Sequence, residues 1–220
     1  PNDEFTAYNK ESATDGDTWS VYGEVIWDIT DRLELAAGAR YIEETKDSWF
    51  IQPYVNPAFT GLFIPYLPAD PLTRAAADQT FDDVIPEVTL TYTWSDNVTV
   101  YAAYKEGFKS GGFSNSAILS NLSPPLVNGT PCISPRLGGT CTASPGDDIQ
   151  FLDFVFDEET NQGGEVGIKA LLFEGSVTAD LTAFFYEFDD LQVDFFNDAQ
   201  FAFVTSNAGG SETYGMELQM

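Results

Sequence analysis

The run "VIPEVTLTYTWSDNVTVYAAYKEG", Val84 to Gly107, decides the fold. Val84, Pro86, Val88, Leu90, Tyr92 and Trp94 alternate with Ile85, Glu87, Thr89, Thr91 and Thr93. After "SDN", Val98, Val100, Ala102 and Tyr104 alternate with Thr99, Tyr101, Ala103 and Lys105. Period two belongs to a strand, whose successive side chains point to opposite faces. The polar break favours a tight turn. The run therefore predicts a long hairpin with one apolar and one polar face. Centring it on "SDN" pairs Tyr92 with Val100 and Leu90 with Ala102 on the apolar face. The same register sets Glu87 opposite Lys105 on the polar face.

The pattern spreads in both directions. Trp19 to Ile29, Leu33 to Tyr41, Val166 to Leu172, Val177 to Phe185 and Tyr214 to Met220 repeat it, the last beginning near Asn207. A hairpin centred on "EG" pairs Leu172 with Val177 and Ile168 with Leu181, and sets Lys169 opposite Asp180. Such a charge pair contributes about 0.2–1 kcal/mol. The seven strands are about 11 to 15 residues long, where soluble strands centre on about 5 to 6. Tilted near 45°, a bilayer crossing takes roughly 9 to 11 residues.

Connections alternate between short and long. "TDR", "SDN" and "EG" are tight turns; long stretches lie over 47–80, 110–157 and 191–205. Trp27 and Trp94 sit on the apolar face beside the short turns, and Tyr41, Tyr104 and Phe185 near the long-loop ends. Two aromatic bands around Val, Leu and Ala match the two membrane–water interfaces. The fold expected is all-β: an antiparallel up-and-down transmembrane β-barrel, here an internal fragment of about seven strands. It has short periplasmic turns and long extracellular loops. A soluble β-sandwich also alternates and buries Trp, but strand length and loop asymmetry favour the barrel. The chain runs from Pro1 to Met220, where it ends inside a strand-like pattern, and reads as part of a longer protein.

Composition excludes several functions. Thirty-five acidic against nine basic residues give a net charge of -26. That opposes binding to nucleic-acid phosphates. Histidine is absent, which removes Ser-His-Asp and Cys-His catalysis. With 43% hydrophobic and 15% aromatic residues, the chain lacks the composition of a disordered tail. No apolar run reaches the roughly 18 residues of a membrane helix. Acid pairs such as Asp82–Asp83 and Asp189–Asp190 lack the loop pattern of a calcium site and read as solvated charge. No metal site, cofactor or enzymatic centre is expected. Cys132 and Cys141 lie close together in a polar loop, which suits a disulfide in an oxidising compartment or, less well, two free thiols. The first long loop holds Trp49, Phe50, Tyr54, Phe59, Phe63 and Tyr66. They stack on a ligand or pack the loop, packing being the commoner use of buried aromatic area.

"YGEVIWDITDRLELAAGARY", "GFKSGGF" (Gly107–Phe113) and "SNAGGSETYGMELQ" resemble the barrel of TonB-dependent outer-membrane receptors of Gram-negative bacteria, above all the iron-complex receptors. The matching residues include Asp31, Leu33, Ala37, Gly38, Arg40 and Tyr41, then Asn207, Ala208, Gly209, Tyr214, Gly215 and Glu217. The resemblance covers the strands and not the loops. It implies that residues 1–220 form part of a barrel domain without a plug. It further implies that the parent imports a scarce nutrient complex, such as a ferric siderophore, on TonB-transmitted energy. Partners would then be outer-membrane lipid, the small-molecule ligand and TonB, the last through a plug outside this chain. Alone, the segment would leave unpaired strand edges and is expected to transport nothing. The alternatives are a passive porin and a secreted acidic β-sandwich that binds a ligand.

Overall fold

Backbone pairing sets how far each strand runs, and it carries several strands well past the alternating segments. A computed structural model describes residues 5–59, 63, 74–114, 116, 124–135, 138–151, 154–198 and 202–220. The strands are β1 (Tyr8–Thr30), β2 (Leu33–Val55), β3 (Ala75–Ser95), β4 (Val98–Lys109), β5 (Gly112–Phe113), β6 (Leu126–Val127) and β7 (Thr130–Pro131). They continue with β8 (Ile149–Gln150), β9 (Val155–Phe156), β10 (Glu159–Leu172), β11 (Val177–Asp189), β12 (Gln192–Asn197), β13 (Ala202–Asn207) and β14 (Ser211–Gln219).

Seven of them form one antiparallel sheet in the order β1-β2-β3-β4-β10-β11-β14. Each strand pairs with the next long strand, so the wall is an up-and-down meander with β1 and β14 at its edges. The apolar positions join into continuous rows. One runs Trp27, Leu35, Leu90, Ala102, Val166, Ala183, Met216 across all seven strands. The polar row beside it runs Asp28, Glu34, Thr91, Tyr101, Gly167, Thr182, Glu217. A one-residue slip at any seam would mix the two faces.

No second sheet covers the apolar face among the described residues: Trp27 is 60% exposed, Val88 40% and Leu90 41%. That excludes the β-sandwich, which must bury this face. From Trp19 to Ile29 is ten residue steps; at about 3.3 Å each and tilted near 45°, they rise roughly 23 Å. The apolar band of an outer-membrane barrel is about 25 Å tall. The apolar face is the outer, lipid-facing one, and the polar face is the inner one.

Polar-face glycines let large rings lie flat. A Cβ on Gly167 would overlap the Tyr101 ring, and one on Gly215 would press on the Phe184 ring. The Tyr101 hydroxyl shares a 3.0 Å hydrogen bond with Thr182 Oγ1, two strands away.

Four expectations need correction. The first three strands have 23, 23 and 21 residues, longer than alternation indicated. The loop expected over 47–80 is accordingly strand at both ends, with Asp47 paired to Asp78 and Phe50 to Ala75. Beyond the lipid neither face needs to be apolar, so pairing continues where the period fades. The stretch over 191–205 is a hairpin of its own, β12–β13. The seventh strand starts at Ser211, and Asn207 closes that hairpin instead. Within 110–157, β5 pairs with β9, and β6 pairs with both β7 and β8.

Candidate functional site

The chemistry-bearing surfaces are the rim, where the sheet leaves the lipid, and the mouth above it. At the rim, Trp19 Nε1 donates to Glu43 Oε1 at 2.9 Å, and the Tyr41 hydroxyl donates to Glu43 Oε2 at 3.1 Å. The Tyr104 hydroxyl donates to Glu106 Oε1 at 2.6 Å. These rings lie on the outer face with polar tips directed away from the apolar band, as aromatic side chains do at a membrane interface. At the opposite end Trp27 and Trp94 flank the short turns, with Tyr92 and Trp94 edge to face at 6.1 Å.

Above the rim, the long loop folds inward over the sheet. Phe50 follows the inner-face parity of β2, opposite Ala75 of β3, and both are fully buried. What buries them is Phe151 and Phe154 of the loop over 110–157. The Phe50 and Phe154 rings meet at 5.1 Å, and the Phe113 ring lies tilted against Phe154 at 5.2 Å. Lys46, also on the inner face, fastens the start of that loop. Its ammonium donates to Ser110 Oγ at 2.7 Å and to the Gly111 carbonyl at 2.8 Å. It also pairs with Glu44 at 3.0 Å. Burial pushes the Glu44 carboxyl up, but its bonds to Lys46 and Ser110 outweigh this and hold it below the usual range. Lys10 of β1 lies 4.4 Å over the Phe50 ring, and burial lowers its ammonium to about 8.

The loop aromatics named from the sequence do not form one pocket. Trp49 is half-buried, with the Arg74 guanidinium 5.3 Å over its ring. Tyr54 is half-buried in β2, opposite Asn9 and next to an irregularity at Pro53, which has no N–H for the ladder. Phe63 is buried with Val55 and Ala202, and its ring meets Tyr8 at 6.3 Å and Phe59 at 6.1 Å. Phe59 is exposed. Tyr66 lies outside the described residues.

The inner-face charges distribute unevenly. Lys169 meets Asp180 at 3.6 Å, directly across the β10–β11 ladder. Lys105 faces Glu87 in the β3–β4 ladder but bonds Glu165 of β10 at 3.4 Å. Cys132 and Cys141 are disulfide-bonded, with Cα atoms 5.4 Å apart. The ring they close sits beside the β6–β7–β8 sheet, where the Asn128 amide donates to Asp147 Oδ1 at 2.8 Å. No group of three potential metal ligands occurs among the described residues.

Sequence reading passed over Lys46, Phe154, Gln192 and Asn207 as parts of the mouth. Lys46 and Phe50 carried a usable signal, since both continue the inner-face parity of Ile42 and Glu44.

Residues 1–220, the whole chain, match the family model described as TonB dependent receptor-like, beta-barrel. Among solved structures, the chain is similar to the ferric yersiniabactin uptake receptor FyuA from Yersinia pestis. Identity is 18% and TM-score 0.62, over 95% of this chain and 24% of that one. It is also similar to the ferric-catecholate import receptor Fiu from K12 E. coli, at 14% identity and TM-score 0.57, over 94% and 25%. The siderophore receptor PiuA from Acinetobacter baumannii gives 17% identity and TM-score 0.56, over 94% and 23%. The chain thus spans about a quarter of the length of these proteins, and the likeness to them is one of fold.

Proposed function

Because this chain belongs to the TonB-dependent receptor-like β-barrel family of the Gram-negative outer membrane, whose members are transporters, we propose that it builds part of the wall and external mouth of a ferric-siderophore importer. Transport is powered by TonB through a plug contributed by sequence outside residues 1–220. The observation that carries this reading is the inward fold of the long loop. Phe151 and Phe154 pack on Phe50 and Ala75 of the inner face, which lays the loop across the opening instead of away from it. A mouth closed in this way suits capture of a large complex better than free diffusion of small solutes. The comparison structures named for ferric-complex uptake support the same ligand class. Phe59 keeps exposed ring surface for that ligand, whereas Trp49 continues the outer-face parity of Tyr41 and Phe63 is committed to packing. Its outer face takes lipid and its long loops face the medium.

The test is uptake of radioactive iron, presented as ferric siderophores, by iron-starved cells with and without the intact protein. Saturable uptake that an uncoupler abolishes is expected. Uptake that rises linearly with concentration and ignores the uncoupler would assign a passive pore instead.

A further inference from the structure

Three glycines on the inner face are each covered by a neighbouring ring: Gly163 by Tyr186, Gly167 by Tyr101 and Gly215 by Phe184. Gly164, on the outer face, is not. It stands between Tyr104 of β4 and Phe185 of β11 in the ladder, two rings well placed to cover it. Yet no side chain of a neighbouring strand comes within 4 Å of where its Cβ would be; the Ala103 carbonyl lies there at 3.0 Å. Both rings turn away. Phe185 stacks on Tyr214 of β14, with centroids 6.4 Å apart and planes at 21°. Tyr104 points toward the rim, its hydroxyl 2.6 Å from Glu106 Oε1 and 3.2 Å from Gln162 Oε1. One row deeper in the apolar band, Ala102 and Ala183 lie on either side of Val166. These small side chains extend the notch at Gly164 into an open groove of about 580 Å³, bordered by Val88 and Leu90 of β3.

We propose that this groove holds one acyl chain of a membrane lipid, and that the head group of that lipid carries an ammonium. The groove opens on the outer face, where hydrocarbon lies against the wall. Left empty it would forfeit the dispersion contacts of its walls, and a flexible unbranched chain can fill it. The rim end decides the head group. Glu106, Gln162, Glu187 and Glu212 form one cross-strand row there, with no lysine or arginine in it. An ammonium can donate to these acceptors, whereas a head group that is only anionic is repelled. The proposal rests on the lipid-facing outer face and not on what the barrel transports, so its failure would leave the proposed function standing.

The test places the intact protein in vesicles of phosphatidylethanolamine and phosphatidylglycerol in equal parts. It is then extracted in mild detergent, and the lipid it retains is identified by native mass spectrometry. The wild type should keep phosphatidylethanolamine in preference to phosphatidylglycerol. Gly164→Leu plugs the groove and should lower the retained lipid about tenfold. Ala37→Leu, on the outer face outside the groove, should leave it unchanged. Glu106→Gln keeps the acceptor for Tyr104, removes a charge and should narrow the preference between the two lipids. Should Gly164→Leu not assemble, Ala102→Leu fills the groove from its floor and decides the matter. Retention that neither groove variant lowers, or equal retention of both lipids by the wild type, overturns the proposal. So does a dimer that the groove variants dissolve, which would seat a second copy there instead.

Discussion

Lys105 reaches diagonally to Glu165 on β10, 3.4 Å away, although its backbone faces Glu87 on β3. Glu87 forms no ion pair among the described residues. Gly163, opposite Lys105 on β10, offers no partner of its own, and the place of its missing side chain is filled by the Tyr186 ring. Glu165→Gln should therefore lower stability more than Glu87→Gln. The Lys105 side chain is 43% exposed, so the loss should stay near 0–1 kcal/mol and shrink in high salt. Thermal unfolding of the purified protein checks the order of the two variants. A larger loss from Glu87→Gln would mean that the lysine chooses its direct cross-strand partner in the membrane.

Leu90 and Thr91 are neighbours in sequence with opposite surroundings. Leu90 lies in the apolar row between Leu35 and Ala102, and Thr91 in the polar row between Glu34 and Tyr101. An arginine at 90 faces hydrocarbon near mid-membrane and should cost roughly 2–4 kcal/mol. An arginine at 91 enters an acidic inner face beside Glu34 and should cost little. Assembly into lipid vesicles, scored by the heat-sensitive shift in gel mobility, separates the two. Equal tolerance would sink the assignment of faces.

Tyr101 and Gly167 make a steric pair across the β4–β10 seam. Gly167→Val drives a branched side chain into the Tyr101 ring, an overpacking worth about 1–3 kcal/mol. Adding Tyr101→Ala should recover much of the assembled fraction, at the cost of the hydrogen bond to Thr182. If the double variant assembles no better than Gly167→Val alone, the ring is not the obstacle. A β-branched residue here also suits strand geometry, so a defect cannot be blamed on propensity.

What could be read in the sequence follows from where lipid lies. Within the apolar band the two faces meet different media, so Val88, Leu90 and Ala102 announce both strand and register. Above the rim both faces are wet or covered by loops, and Tyr8 to Thr18 shows no period although it pairs with β2 along its length. The β3–β4 register was legible because a tight turn fixes it. The choice of Glu165 by Lys105 was not, because β10 reaches β4 only after the long loop over 110–158. The bonds of the Asn207 side chain left no periodic trace at all: a side chain that serves distant backbone groups looks, in sequence, like any other turn residue.

Glu158 stands where the loop over 110–157 meets the wall, and its carboxyl is held above the usual range. Burial is the largest cause, followed by the negative charges of Asp83, Asp157, Asp82 and Asp190. For an acid whose folded value lies above its unfolded one, the favourable contribution exists at low pH, where the group is protonated in both states. It is lost as pH rises through the raised folded value. Ionised Glu158 therefore strains the root of that loop at neutral pH. Glu158→Gln removes that charge and leaves the backbone carbonyl that Asn207 uses. The variant should resist proteolysis of the loop over 110–157 better than the wild type at pH 7.5. The advantage should vanish near pH 4, where wild-type Glu158 carries its own proton. Asp147 works in the opposite sense: bonds from the Asn128 amide and the Ser144 N–H hold it below the usual range. What it adds to the β6–β8 region is present above its unfolded value and fades as pH falls through the folded one. Limited proteolysis across this range, with cleavage sites mapped, reads both groups at once. A Glu158→Gln advantage that persists unchanged at pH 4 would show that the carboxylate charge is not what loosens the root.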